Sequence, residues 1–109
     1  VGIEAAAKGT FNELPLEKAV DLVKMMGRHS ALSFAGCLTY PAYKHIPSSY
    51  IFCENDFIIP PDKQREFIDR IKKAIGKEVD VHNLGTGHCP NVTAPEQVAK
   101  VIVDIASSA

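Results

Sequence analysis

The sequence predicts an α/β fold built on parallel strands, and three observations carry that prediction. Tyr50-Ile51-Phe52-Cys53 is a short continuous apolar run, the pattern of a strand covered on both faces. From Pro61 to about Ile75 the apolar residues recur at helical spacing, and Gly76 supplies a stop. Val79 to Leu84 then alternates apolar and polar side chains until Asn83, as a half-exposed strand near a sheet edge does. The stretch between the two strands is long enough for a helical crossover, so they read as parallel and right-handed. Asp56 and His88 then both follow the C-terminal ends of parallel strands, the edge outside which open α/β sheets bind ligands.

In chain order, residues 1–14 lack periodicity and read as a loop or a frayed start. Pro15 opens a helix where a missing N–H costs least, and Leu16, Ala19, Val20, Val23 and Met26 mark its apolar face. Gly27, Arg28 and His29 suit its C-terminus. Met25 and Met26 read either as core packing or as part of a flexible lid, since Met adapts to irregular pockets. Residues 30–48 have no clear period and form a connection.

The central helix starts at Pro61 with Asp62 in its first turn, and its buried face is Gln64, Phe67, Ile68, Ile71 and Ile75. Lys72, Lys73 and Lys77 sit toward its C-terminus, the favourable end of the helix dipole for cations. Gly85-Thr86-Gly87 is a sharp loop that presents His88. Thr93-Ala94-Pro95-Glu96 reads as a capping box opening the last helix, with Val98, Val101, Ile102 and Ile105 on its apolar face.

The composition narrows the function classes. The chain has 109 residues, 12 Lys plus Arg against 13 Asp plus Glu, and a formal net charge of -1. That balance offers no electrostatic case for nucleic acid or an anionic membrane. The basic residues of the central helix alternate with Asp62, Glu66 and Asp69, as on a solvated face. No apolar run approaches the roughly 18 residues of a membrane span, and no signal-peptide pattern is visible. Cys37, Cys53 and Cys89 are odd in number without metal-ligand spacing, so they read as free thiols in a reducing compartment, the basis for expecting a cytoplasmic location. No metal and no cofactor is expected. Asn91-Val92-Thr93 matches a glycosylation sequon, a triplet common by chance. The first residue is Val, so the chain reads as a processed or excised piece of something longer.

With Asp56 and His88 placed, the chain resembles the C-terminal part of an α/β-hydrolase-fold protein, in the branch of small-molecule esterases, methylesterases and hydroxynitrile lyases. The resemblance rests on Ile46 through Asp56, on Ile59-Pro60-Pro61 with Gln64, on Gly87-His88-Cys89-Pro90, and on Pro95-Glu96. It implies that residues 1–45 are the end of a cap or lid region with a connection, and that 46–109 are the C-terminal part of the core. It also implies that Asp56 is the acid and His88 the base of a Ser-His-Asp triad, cleaving a small-molecule ester, thioester or lactone. The alternative it leaves open is the same fold without hydrolysis, as a lyase or a ligand-binding receptor. Phe57 and Ile58 after the acid, and Met26, are candidates to contact a substrate, although Phe57 and Ile58 serve equally well to tie down the loop. Cys89 and Asn91 depart from the family pattern, which commonly has Ser and an aromatic residue there. Cys89 reads as a near-isosteric replacement rather than as a reactive thiol.

No G-x-S-x-G pentapeptide, the turn that carries this family's serine, occurs in the chain. Two strands are also too few for a stable parallel sheet, which needs cover on both faces. The expectation is therefore a hydrolase portion completed by a second chain, or by the remainder of the same precursor, that carries the serine.

Overall fold

The computed structural model describes residues 2–109. Two helices, α1 (Ile3–Thr10) and α2 (Leu16–Met25), are followed by a long exposed connection with 3₁₀ turns at Ala31–Ala35 and Ala42–Lys44. The α/β part then runs β1 (Ser49–Cys53), α3 (Pro61–Ile75), β2 (Asp80–Leu84), α4 (Pro90–Thr93) and α5 (Pro95–Ser108). β1 and β2 form a two-stranded parallel sheet in which Ser49 faces Asp80 and Cys53 faces Leu84. The crossover helix has the predicted bounds. Pro61 occupies its first turn, and Gly76 ends it in the left-handed conformation at φ 71°, the region that only glycine enters without strain.

The expectation of a loop over residues 1–14 is overturned by α1. Eight residues do not hold a helix by propensity alone. Packing supplies the difference, because Ala7, Phe11 and Ala19 are buried together where α1 meets α2. Leu14, Val20, Leu22 and Val23 cover that cluster, and Cys89 joins it from the loop after β2. The helical pair is thus seated on the segment that carries His88.

Several smaller expectations are also corrected. Pro15 caps α2 rather than starting it, its carbonyl accepting the Ala19 N–H at 3.0 Å. Gly27 is not a left-handed cap: Met26 ends α2 and the chain leaves it extended. His29 bonds through Nδ1 to the Ser30 carbonyl and the Ser33 hydroxyl, beyond the helix end it was expected to serve. Thr93 does not cap α5. Ala94 holds the N-cap position, and the Thr93 hydroxyl donates to Glu13 Oε2 at 2.5 Å instead. On α3 only Gln64 is buried, with Phe67, Ile68, Ile71 and Ile75 half-buried, because two strands cover only part of the helix face. Ile102 of α5 is exposed. His82, read from the sequence as a solvated side chain on the polar face of the second strand, is half-buried, and its Nε2 pairs with Asp80 Oδ2 at 2.9 Å.

Candidate active site

β1 ends at Cys53, and the chain turns through Glu54 and Asn55 before Asp56 points back under the loop. Its carboxylate is 6 % exposed. The turn is held by the carboxylate itself: Oδ1 accepts the Ile58 N–H at 2.8 Å and the Ile59 N–H at 2.9 Å. A short acidic side chain bonding its own backbone two and three residues on is the local device that makes Asp suited to this position. Oδ2 is left to face the second loop.

That second loop follows β2. Thr86 and Gly87 are buried and His88 is half-buried, with its Nδ1 2.9 Å from Asp56 Oδ2 and 3.1 Å from Oδ1. An ionised carboxylate only accepts, so Nδ1 carries the proton in this contact and Nε2 is the basic nitrogen. Among the described residues Nε2 makes no hydrogen bond. The loops are also tied to each other, because the Asn55 N–H donates to the Thr86 carbonyl at 3.0 Å and Asn55 Nδ2 to the Gly85 carbonyl at 3.1 Å.

The two thiols near the pair, Cys53 and Cys89, are withdrawn from water to different degrees, buried and half-buried. Burial pushes the Cys89 thiol up, and the Asp56 carboxylate and Cys53 add to the effect. Burial also raises Cys53, against a smaller opposing hydrogen bond from Thr86. Both thiols stay protonated near neutral pH, so Cys89 packs as a small apolar side chain and is not a thiolate beside the imidazole. No group of three or more His, Cys, Asp or Glu side chains is placed to hold a metal ion among the described residues.

The structure brings together two of the five candidates, Asp56 and His88. Phe57 is exposed and lines a cavity of about 340 Å³ with Ala7, Phe11, Asn12 and Leu14. Ile58 packs on α1, its Cδ1 lying 2.7 Å from where a Cβ on Gly9 would stand. Met26 is 56 % exposed at the end of α2 and does not line the Phe57 cavity. Asn12 was missed. Its Nδ2 donates to the Asn55 carbonyl at 3.1 Å, which fastens the segment between α1 and α2 to the loop that carries Asp56.

A carboxylate and an imidazole after consecutive parallel strands, joined by a helical crossover, are the layout of the C-terminal part of an α/β-hydrolase fold. The chain belongs to the alpha/beta hydrolase family, whose model matches residues 4–101. It is 43% identical over 100 residues to the "Probable hydrolase R7" of Phoma sp., across 92% of this chain and 41% of that relative. It is 26% identical over 99 residues to the "Alpha/beta hydrolase nvfD" of Aspergillus novofumigatus, across 91% of this chain and 38% of that relative. The chain thus spans about two fifths of the length of the curated relatives it matches.

Proposed function

We propose that this chain supplies the acid and the base of a serine hydrolase that cleaves a small-molecule ester, thioester or lactone. The observation that carries the reading is the 2.9 Å contact of His88 Nδ1 with Asp56 Oδ2, which leaves Nε2 without a partner among the described residues. In this reading Nε2 takes the proton from a serine hydroxyl as the oxygen attacks the acyl carbon, and returns it to the leaving group. Asp56 holds the ring in the tautomer that keeps Nε2 basic and stabilises the imidazolium once it forms.

The serine lies outside these residues, in the remainder of the same precursor or in a second chain. Support comes from the missing G-x-S-x-G turn, from the share of the relatives' length that the chain spans, and from apolar side chains without cover. Leu32, Phe34 and Leu38 in the connection and Ile102 and Val103 on α5 are all exposed.

Intact-mass measurement of the complete protein before and after a fluorophosphonate probe tests the reading. One added probe on a serine outside residues 1–109 is the expected result, and loss of labelling in a His88→Ala variant should accompany it. A complete protein that takes up no probe would transfer the site to the lyase or binding-module reading.

A further inference from the structure

Gln64 is the most deeply buried large side chain among the described residues, at 2 % exposure, and it sits eight residues beyond Asp56 on the first turns of α3. A neutral carboxamide in that position needs partners for both ends, and all of them lie on the acid loop. Its Oε1 accepts the Cys53 N–H at 2.9 Å, and its Nε2 donates to the Cys53 carbonyl and to the Ile59 carbonyl, each at 2.8 Å. Cys53 and Ile59 are the residues at which the loop leaves β1 and returns toward α3.

The two contacts with Cys53 have a particular geometry. The Glu54 N–H bonds the Leu84 carbonyl, so the peptide groups of residue 54 face β2. Along a strand successive residues point their N–H and C=O groups to opposite sides. Those of Cys53 therefore face the open edge of β1, where a neighbouring strand's peptide would meet them. The Gln64 carboxamide takes the place of that peptide, one donor and one acceptor matched to one residue. It closes the ladder at the end of β1 and frees the chain to turn toward Asp56.

The third contact reaches the acid. Gln64 holds the Ile59 carbonyl, the Ile59 N–H donates to Asp56 Oδ1 at 2.9 Å, and Asp56 Oδ2 meets His88 Nδ1 at 2.9 Å. We propose that Gln64 is a positioning residue for the acid, fixing both ends of the loop so that Asp56 Oδ1 is occupied by backbone and Oδ2 is aimed at His88. This rests on the reading of Asp56 and His88 as the acid–base pair. Gln64 makes its hydrogen bonds to backbone and none to the imidazole, so it acts on the pair through the loop that carries Asp56.

The test uses Gln64→Leu and Gln64→Glu in the complete hydrolase, alone and combined with Asp56→Asn. Gln64→Glu keeps the acceptor for the Cys53 N–H and loses both donors, which provides a reading if Gln64→Leu does not fold. Each variant should lower kcat about 10- to 100-fold with KM little changed, the scale on which small misplacements of a reacting group act. In the Asp56→Asn background the same substitutions should lower kcat no further. An additional tenfold loss there, or a loss confined to KM, would overturn the proposal. A second readout does not depend on hydrolysis: the downfield Nδ1–H proton resonance of His88 should be present in the unsubstituted protein and lost or shifted in the Gln64 variants. If no serine is labelled but that resonance responds to Gln64, the hydrolase reading fails and the positioning role stands. An unchanged resonance in a folded Gln64 variant would remove the positioning role whatever the chemistry.

Discussion

Asn12 fills the space that a side chain on Gly87 would need. A Cβ built on Gly87 would lie 2.1 Å from Asn12 Oδ1 and 3.1 Å from its Cγ. The Asn12 amide is held there by its 3.1 Å hydrogen bond to the Asn55 carbonyl, while Oδ1 is buried without a hydrogen-bond donor among the described residues. The glycine before His88 is therefore explained by a residue 75 positions earlier in the chain, and the tie runs across both loops of the site.

Gly87→Ala should force the Asn12 amide off Asn55. The expected destabilisation is about 1–3 kcal/mol, the usual cost of overpacking a tight contact, together with reduced kcat. The same change in an Asn12→Ala background should be tolerated, because the atoms it would strike are gone. Denaturant melts of the single and double variants measure the coupling, and strictly additive losses would contradict it.

On the proposed hydrolase reading, Asp56→Asn in the complete protein should lower kcat by about 10⁴, the scale seen when a triad carboxylate loses its charge. The amide can still accept from the Ile58 and Ile59 N–H groups, so the loop should survive and thermal unfolding should shift little. A loss below about tenfold would redirect attention to Glu54. That residue is exposed and lines the space beside Phe52 and Arg65.

The thiols should react in order of exposure and ionisation. Cys37 is exposed, whereas Cys53 is buried and Cys89 half-buried, and burial raises both of the latter above the ordinary thiol range. A raised pKa means less thiolate at a given pH, so iodoacetamide near pH 8 should alkylate Cys37 first. Peptide mapping at short times checks this, and early modification of Cys89 would argue for an activated thiol beside His88.

Asp80 should contribute to acid sensitivity. It accepts the Ser49 hydroxyl at 2.6 Å and pairs with His82 at 2.9 Å. The Ser49 hydrogen bond first, and the His82 contact second, hold its carboxyl below the usual range. With the folded-state pKa depressed, the unfolded chain binds the proton more readily. The stabilisation is complete above the ordinary aspartate range, and it is lost as pH falls through the depressed value. Asp80→Asn should therefore flatten part of the decline of Tm below about pH 4, with Ser49→Ala the larger of the two partner effects. An acid limb unchanged in Asp80→Asn would refute the assignment.

Much of the α/β part was legible because its signals are local. Pro61 and Gly76 bound α3 as read, and the apolar run at Tyr50–Cys53 is a strand. The misses share a cause. α1 carries a signal in Ile3, Ala7 and Phe11 at helical spacing, but eight residues are too few to be helical without the α2 face they pack on. Thr93 has the sequence context of a cap, yet its hydroxyl found a carboxylate 80 residues away. A local pattern cannot register that competition.

The sequence by itself determined the element types of β1, α3, β2 and α5 and the edge on which Asp56 and His88 emerge, but not the short helix α4. Side-chain periodicity and turn residues act within a few positions, and the hand of a parallel crossover follows from chain chirality. Only the tertiary structure decided that Nδ1 of His88 meets Oδ2 of Asp56, that Gln64 stands in for a strand's peptide, and that Asn12 joins the two loops. Each is a choice of hydrogen-bond partner among many polar groups, and burial settles it, because a group withdrawn from water must bond to whatever the packing has placed within reach.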